Sequence, residues 1–270
     1  MKTVRLIVLG ALGRMGRAIL DAMANDPSFR LQGAVVRERA ARKKATLADH
    51  GLKTWGKVPL HASPQKIQAT RRDVIVDVTQ AESVGRNVSW AAKVQVPYVL
   101  AVTGLDSKTE KMVEKASKKI PIVVAPNLSI GMAILNEIAW IAGALMPDAD
   151  IEIVETHHRD KKDAPSGTAI HLAKSIVDTT RRKREIEFGR PKKGKRKSGA
   201  VAIHSVRGGD VVGEHRIQVF SDGERLELGH VASSRAIFAR GALKAAKYIV
   251  GKRPGLYTMR DVLGLGKGAK

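Results

Sequence analysis

The sequence predicts an α/β protein: a Rossmann-like domain with a doubly wound parallel sheet, and a second α+β domain with a mostly antiparallel or mixed sheet. Three observations lead to this prediction. The first strand pattern runs directly into a glycine-rich turn and a helix, at 4–24. Strand and helix patterns then alternate as far as residue 127, which is typical of parallel sheets. Between residues 150 and 233 only one clear helix interrupts the strand patterns, which favours antiparallel pairing.

The first strand is VRLIVL at 4–9, a short apolar run rich in β-branched residues. GALGRMG follows at 10–16, and helical periodicity continues through RMGRAILDAMA at 14–24. Glycines in such a turn let the main chain approach a pyrophosphate and let the helix pack on the strand. The pattern therefore indicates dinucleotide binding, although a glycine-rich turn can also be purely structural.

The second strand, LQGAVV at 31–36, ends beside Arg37. A carboxylate at this place suits the ribose of NAD, whereas an arginine suits the 2′-phosphate of NADP. Glu38 comes next, and it is followed by more cations, namely Arg39, Arg42, Lys43 and Lys44. The cations favour NADPH as the cofactor and Glu38 leaves NADH open, while a charged run of this kind can also be a solvated loop without a ligand.

Three more strand patterns complete the first half, at 73–79, 96–104 and 120–127, with helices at 82–93 and 107–119 between them. Ligands of such sheets bind beyond the carboxyl ends of the strands. Small or polar residues stand at those ends, in the pairs Thr79-Gln80, Thr103-Gly104 and Pro126-Asn127. These pairs suit the lining of a nicotinamide site, and each one by itself is equally ordinary in a loop.

The second half begins with a long apolar helix at 129–146, which we expect to be buried on most sides. One further helix is predicted at 168–178. The predicted strands lie at 150–158, 200–208, 213–222 and 224–233.

The last helix pattern, at 234–250, is amphipathic and is expected to return to the first domain. That domain is then discontinuous, and we expect residues 1–127 and 235–270 to bind the dinucleotide. The second domain, 128–234, is expected to bind the substrate.

The composition excludes several classes of protein. No apolar run approaches the roughly 20 residues that span a bilayer, and the apolar start of the chain enters the glycine turn instead of a cleavage site. We therefore expect no membrane span and no signal peptide. Without cysteine there is no disulfide framework, thiolate metal site or cysteine nucleophile, which is compatible with a cytoplasmic location.

The formal net charge of +22 raises the question of nucleic-acid binding. Aromatic residues make up only 4% of the chain, so a surface for stacking on bases is poorly supplied. Much of the excess charge lies in TTRRKREIEFGRPKKGKRKSG at 179–199, which we interpret as a solvated loop. We expect contact with nucleic acid to be non-specific and salt-sensitive, if it occurs at all.

The most informative stretch is ETHHRDKKDAPSGTA, at 155–169. Imidazoles exchange protons near neutral pH, and Lys161 adds a fixed positive charge. The Ser-Gly-Thr turn at 166–168 offers main-chain N–H groups where a helix begins, and anions bind at such ends. Together these groups predict a site that holds a small anion and protonates it.

His157 and His158 are neighbours at the end of a strand, so their side chains point to opposite faces and cannot do the same task. One of them can be purely structural. No HExxH-type spacing is present, and several cations compete for the carboxylates, so we expect no metal here. The chain also has no G-x-S-x-G elbow, which argues against a Ser-His-Asp hydrolase.

The chain resembles the dihydrodipicolinate reductase family from about residue 4 to about 264. The resemblance rests on GALGRMGRAI, ETHHRDKKDAPSGTA, RGGDVVGEH, GERLELGHVASSR and GLYTMRDVL. It implies reduction of a cyclic dicarboxylate by NADH or NADPH in the diaminopimelate route to lysine. It also implies a homotetramer that assembles through the second domain. Two other classes stay open, namely another Rossmann-type reductase of a small anionic acid and a basic nucleic-acid-binding protein.

The resemblance also implies roles for single residues. His157 is expected to be the proton donor, Lys161 the second catalytic group and His158 a substrate contact. A substrate carboxylate is expected at Ser166, Gly167 and Thr168. The pyrophosphate is expected at Gly10, Ala11, Leu12, Gly13, Arg14 and Met15. The nicotinamide is expected beside Ala101, Val102, Thr103, Ala125, Pro126, Asn127 and Leu128.

The sequence departs from the family pattern in three places. An acidic residue is common where Arg37 stands, which puts the use of NADH in doubt. The strand-end motif often reads Gly-Thr-Thr, whereas here it is Ala101-Val102-Thr103, so fewer hydroxyl contacts to the cofactor are expected. The segment 179–199 is more basic than the pattern, and it either steers an anionic substrate or is inert.

Overall fold

The computed structural model describes residues 3–41, 45–56, 58–178, 184–190 and 193–265. In chain order these residues form β1 (Val4–Leu9), α1 (Arg14–Ala24), β2 (Phe29–Val35), β3 (Leu60–His61), β4 (Asp73–Asp77), α2 (Ala81–Val94), β5 (Tyr98–Leu100), α3 (Ser107–Ser117), β6 (Pro121–Val124), α4 (Ile130–Leu145), β7 (Asp150–His157), α5 (Gly167–Val177), β8 (Ile186–Phe188), β9 (Val201–Arg207), β10 (Gly213–Ser221), β11 (Glu224–Ala232), α6 (Ala236–Ile249), β12 (Gly255–Tyr257) and α7 (Met259–Val262).

The chain divides into two compact units, each with its own sheet. The first comprises Met1–Ile130 and Ala236–Lys270, and the second comprises Gly131–Arg235. The functional roles assigned to the two domains from the sequence stay predictions.

The first unit contains a seven-stranded parallel sheet in the order β12-β6-β5-β4-β1-β2-β3. Its central strands are buried on both faces, which explains why they read as unbroken apolar runs. Because the strands are parallel, the residues that follow β1, β4, β5 and β6 all lie at the same edge of the sheet. This arrangement confirms the predicted doubly wound, Rossmann-like domain.

The strands of the first unit end earlier than the apolar patterns predict. The pattern at 96–104 forms a strand only over Tyr98–Leu100, and the pattern at 120–127 forms one only over Pro121–Val124. The remaining residues are loops at the carboxyl edge of the sheet. Three strands escaped prediction, namely β3, β8 and β12, because two or three residues are too few to show a period.

The second unit contains a five-stranded mixed sheet in the order β11-β10-β7-β9-β8. β10 pairs antiparallel with β11 and β7, whereas β9 pairs parallel with β7 and β8. The core of this unit joins inward residues of the sheet, such as Ile151, Ile153 and Ile217, to α4 and α5. The prediction of a second α+β domain with a mixed sheet is confirmed.

The expectation that the helix at 129–146 is buried on most sides is wrong. α4 buries one face, which includes Met132, Leu135 and Ala139. Another face of the helix is an exposed apolar stripe made of Ile134, Ile138, Ile141 and Leu145. In a single copy of the chain, α4 packs on one face of a sheet, and one stripe of its side chains is enough for this contact.

The interpretation of 179–199 as a solvated loop is wrong for residues 184–188, whereas residues 193–199 are turns and loop that are mostly exposed. Residues 186–188 form β8, which pairs with β9. Arg184 is buried and donates to the carbonyl oxygens of Pro147 (2.6 Å) and Ala149 (3.1 Å) just beyond α4. Arg196 binds Asp150 at 2.6 Å and Glu152 at 2.8 Å. Residues 179–183 and 191–192 of this segment lie outside the described residues.

Candidate functional site

The alternation of β7 brings two polar side chains to the end of a buried face. Every second residue of the strand is buried, and Ile151 and Ile153 belong to the apolar core. Glu155 and His157 continue the same face, because side chains two positions apart on a strand point the same way. A strand that starts in the core therefore ends in a carboxylate and an imidazole.

Glu155 has no exposed surface and is surrounded by hydrogen-bond donors. His157 Nδ1 lies 2.5 Å from Oε2, and the main-chain N–H of Ser166 donates to Oε1 at 3.1 Å. Arg207 donates to both oxygens, at 2.7 Å and 2.9 Å. Burial by itself raises the pKa of Glu155, but hydrogen bonds from His157, Arg207, Ser205 and Ser166 outweigh it and hold that pKa well below its usual range. The carboxylate is thus fixed as an anion.

The other side of the His157 ring packs against β10. A Cβ atom at Gly213 would lie only 3.0 Å from His157 Nε2, so a larger residue at this position would press against the ring. His215 meets the same ring edge to face, and its Nε2 lies 3.4 Å from Ser166 Oγ. Burial, assisted by the neighbouring His157, lowers the pKa of His215 to about 4. His215 is therefore neutral at physiological pH.

The segment after β7 carries the predicted anion-binding groups. Ser166 is the N-cap of α5, and its Oγ accepts the N–H of Ala169 at 3.2 Å. Lys161 Nζ lies 2.8 Å from a carboxylate oxygen of Asp163, which also accepts the main-chain N–H of Gly167. Burial raises the pKa of Asp163, but these contacts lower it by more. An internal carboxylate thus engages Lys161, the predicted second catalytic group, and Gly167, a predicted substrate contact.

The structure gathers His157 and Ser166 around one carboxylate, and it places Lys161 in the intervening loop. His158 follows the strand and is half-buried, Gly167 is exposed and Thr168 is half-buried. Their roles stay predictions. Four residues of the site were missed, namely Glu155, Arg207, Gly213 and His215. The i, i+2 spacing of Glu155 and His157 on a strand could have indicated Glu155. Arg207, Gly213 and His215 lie in a distant motif to which no role was assigned.

The glycine turn after β1 fits a pyrophosphate. Gly10 has a φ of +87°, and a Cβ there would lie 2.8 Å from the carbonyl oxygen of Val78. A Cβ at Gly16 would lie 2.3 Å from the carbonyl oxygen of Gly10, so α1 packs tightly against the turn. Gly13 is the N-cap of α1 and makes no side-chain cap. The helix therefore presents its first N–H groups beside exposed Arg14 and half-buried Leu12 and Met15.

Arg37 is exposed and reaches the end of a neighbouring strand. Its Nη2 donates to Gln80 Oε1 at 3.2 Å, so the residues that follow β2 and β4 meet at the same edge. Glu38 and Arg39 continue into a short 3-10 helix and are exposed. Arg42, Lys43 and Lys44 lie outside the described residues.

A buried polar network fixes the end of β4. Asp77 is fully buried and accepts the N–H of Thr79 at 2.9 Å, Asn87 Nδ2 at 2.9 Å and the Tyr98 hydroxyl. Burial, together with the charge of Asp77, raises the pKa of Tyr98 well above its usual value. No local pattern in the sequence indicates this network, because its members come from β4, α2 and β5.

The residues predicted beside the nicotinamide all follow β5 or β6, at the same edge of the sheet as the glycine turn. Thr103 and Pro126 are exposed, and Ala101 and Asn127 are half-buried. Ala11 in the glycine turn and Val102, Ala125 and Leu128 in these loops are buried. These four would therefore meet a cofactor mainly through the main chain.

In the part of the chain that the structure describes, no helix is long and apolar enough to cross a membrane. The same residues contain no cluster of three or more histidine, aspartate or glutamate side chains arranged to hold a metal ion.

Family models match almost the whole chain. The model described as dihydrodipicolinate reductase, N-terminus, matches residues 4–128, and the model for the C-terminus of the same enzyme matches residues 131–263. A protein of Thiobacillus denitrificans named 4-hydroxy-tetrahydrodipicolinate reductase is 39% identical, over 97% of this chain and 99% of that protein. A protein of the same name from Caldanaerobacter subterraneus is 38% identical, over 96% of this chain and 98% of that protein.

Solved structures share the fold. Dipicolinate-bound dihydrodipicolinate reductase from Paenisporosarcina sp. TG-14 superposes with a TM-score of 0.75 at 22% identity, covering 95% of this chain and 97% of that one. GenD2 from gentamicin A biosynthesis, in complex with NAD, has a TM-score of 0.64 at 11% identity, covering 98% of this chain and 91% of that one. The resemblance inferred from the sequence motifs is confirmed, and the chain belongs to the dihydrodipicolinate reductase family.

Proposed function

We propose that this protein is a 4-hydroxy-tetrahydrodipicolinate reductase of the diaminopimelate route to lysine, acting in the cytoplasm. It transfers hydride from a nicotinamide cofactor to a cyclic dicarboxylate and yields tetrahydrodipicolinate. One observation carries the proposal: in a chain of this family, the buried Glu155 carboxylate joins the His157 imidazole to the first residue of the Ser-Gly-Thr turn. A proton donor and an anion-binding turn are thus held by one group.

The second unit supplies the groups for the dicarboxylate. The turn Ser166, Gly167 and Thr168 at the start of α5 holds one carboxylate through its hydroxyls and through N–H groups other than that of Ser166, which Glu155 engages. A helix N-terminus favours negative charge at this place. Lys161 offsets further negative charge, and His158 is a second contact. His157 delivers the proton beside the carbon that accepts hydride, and alignment of these groups is the protein's main contribution to the rate.

The first unit supplies the groups for the cofactor, and NADPH is the preferred form, with NADH as the alternative. The turn Gly10 to Met15 holds the pyrophosphate. Arg37 binds the 2′-phosphate that NADPH has and NADH lacks, since a guanidinium suits phosphate geometry. Residues 101–103 and 125–128 border the nicotinamide, which supplies the hydride when it is bound.

The assembly is proposed to be a homotetramer built through residues 128–234. The apolar stripe of α4 lies in this unit and leaves four large aliphatic side chains in water in a single copy. Contiguous apolar surface of this kind is typical of protein interfaces. Sedimentation velocity of the purified chain at micromolar concentration tests the size of the assembly, and a stable monomer would contradict it.

The test of the function is oxidation of NADPH by the purified protein, supplied with the condensation product of pyruvate and aspartate semialdehyde. NADH is run in parallel, and the reaction is followed at the nicotinamide absorption band. Rapid oxidation that depends on the dicarboxylate is expected. Cofactor binding without oxidation would instead indicate a reductase of another small anionic acid.

Retention on DNA that disappears with added salt, while NADPH affinity stays unchanged, would show that nucleic-acid contact is non-specific.

A further inference from the structure

Glu155 connects the two halves of the proposed dicarboxylate site. Its Oε2 faces His157 Nδ1, and its Oε1 accepts the N–H of Ser166, the N-cap of the substrate-gripping helix. Both contacts come from one side chain that has no exposed surface. We propose that Glu155 is a positioning residue for the reduction: it fixes the tautomer and orientation of His157 and locks the proton donor to the carboxylate-binding turn. This inference rests on the proposed function.

The chemistry of the contact determines the tautomer. An ionised carboxylate only accepts hydrogen bonds, so the Nδ1 atom that faces it must carry the proton. Nε2 is then the nitrogen that gains and delivers the transferred proton. A buried carboxylate that orients a histidine in this way also stabilises the imidazolium form that precedes proton donation.

Arg207 keeps this arrangement charged and connected. Its two terminal nitrogens donate to the two oxygens of Glu155, a bidentate geometry that holds the carboxylate plane. Arg207 Nη2 also donates to the main-chain oxygen of Asp163 at 2.7 Å. The loop that carries Lys161 is therefore tied to the same carboxylate as His157.

Other titratable groups surround the paired rings of His157 and His215. His215 on β10 contacts the ring edge to face. Lys161 in the following loop and His230 on β11 both contribute electrostatically at His215. Glu155 differs from all of these in being an anion in direct hydrogen-bond contact with the ring. Removing the charge of Glu155 should therefore change the proton affinity of the His157 imidazole more than substitution of one of these neighbours would.

The same strand contains a matched control. Glu152 binds a histidine, His204, through Nε2 at 2.6 Å and an arginine, Arg196, at 2.8 Å. Three positions separate it from Glu155, so by alternation its side chain lies on the opposite face of β7. Glu152→Gln removes a carboxylate with partners of the same types but leaves the proposed site intact.

The decisive variant is Glu155→Gln. An amide that turns its NH₂ toward Nδ1 favours the wrong tautomer, so kcat should fall by about 10²-fold or more while the KM for NADPH is unchanged. The high-pH limb of the kcat profile should also move to lower pH, which loss of stability alone would not cause. Glu152→Gln should keep both kcat and the profile. Equal kcat values and identical profiles for the two variants would overturn the inference.

A second measurement needs neither a variant of Glu155 nor turnover. In the wild-type protein labelled with ¹⁵N-histidine, long-range ¹H–¹⁵N spectra above neutral pH report the tautomer of each ring. The signals of His157 are assigned by their loss in His157→Gln. An Nδ1–H tautomer supports the inference, and an Nε2–H tautomer overturns it. If the wild-type protein does not reduce the dicarboxylate, the proposed function fails, whereas this spectrum still decides whether Glu155 fixes the ring.

Discussion

The imidazole rings of His157 and His215 meet edge to face, with their centroids 5.3 Å apart. The two rings differ in their partners. His157 faces the Glu155 carboxylate through Nδ1, whereas His215 is buried beside the Ser166 hydroxyl. The pair thus places a histidine that is hydrogen-bonded to a carboxylate beside one that is neutral at physiological pH, and substitution of the two should have different effects.

His215 should make the protein less stable as the pH falls below neutrality. Its pKa in the folded chain, about 4, is below the ordinary value of 6.5, so the unfolded chain binds a proton first. The contribution of His215 to the free energy of unfolding is fully present above pH 6.5, and it is lost as the pH falls toward 4. We expect this residue to account for about 2 kcal/mol of the loss of unfolding free energy between pH 7 and pH 5.

Urea unfolding of wild type and His215→Asn at several pH values measures this contribution. The free energy of unfolding of His215→Asn should depend less on pH than that of wild type. His50→Asn, in the other unit, serves as the control. Parallel curves for wild type and His215→Asn would contradict the predicted role of His215.

His157→Gln should reduce turnover and spare cofactor binding. Glutamine occupies similar space but cannot donate a proton at a useful rate, so kcat should fall by about 10²- to 10⁴-fold. The dissociation constant of NADPH, measured by fluorescence titration, should not change. His204→Gln, on the other face of the sheet, is the control. An equal loss of turnover and of cofactor affinity would count against His157 as the proton donor.

Arg37→Asp should shift the cofactor preference toward NADH. The substitution removes a cation that is expected to bind the 2′-phosphate and introduces a charge that repels it. Because hydrogen bonds to charged groups contribute about 1.5–3 kcal/mol, the ratio of NADPH to NADH affinity should fall at least about tenfold. Steady-state kinetics with both cofactors measure the ratio, and Arg39→Asp controls for general loss of positive charge. An unchanged ratio of NADPH to NADH affinity would show that Arg37 does not bind the 2′-phosphate.

Asp163→Asn should strengthen the binding of dicarboxylates. In the free protein the Asp163 carboxylate engages Lys161 and the N–H of Gly167, so a substrate carboxylate must compete with it. Removing the charge should lower the dissociation constant of dipicolinate about threefold to fivefold, because a partly exposed ion pair contributes up to about 1 kcal/mol. Calorimetry measures this change, with Asp160→Asn as the control. Weaker binding would show instead that Asp163 holds the loop in its binding conformation.

The elements that the sequence predicts correctly are those with a local signal. The run 4–9, the glycines from Gly10 and the helix over Arg14–Ala24 follow from apolar periodicity and turn chemistry within a few residues. The loop that contains His157 and Lys161 is likewise visible in one short segment. The short strand β8 was missed because three residues carry no periodicity, and charge dominated the interpretation of its surroundings.

The amino-acid sequence by itself determined the fold class, the glycine turn and the family, because each depends on short-range patterns in the chain. The partners of those patterns were decided by tertiary structure. Arg207 reaches Glu155 across 52 residues only because β9 pairs with β7. Gly213 makes room for His157 because β10 lies on the other side of β7. Strand order decides which cation pairs with which carboxylate. Burial of these pairs away from water then strengthens their electrostatic attraction.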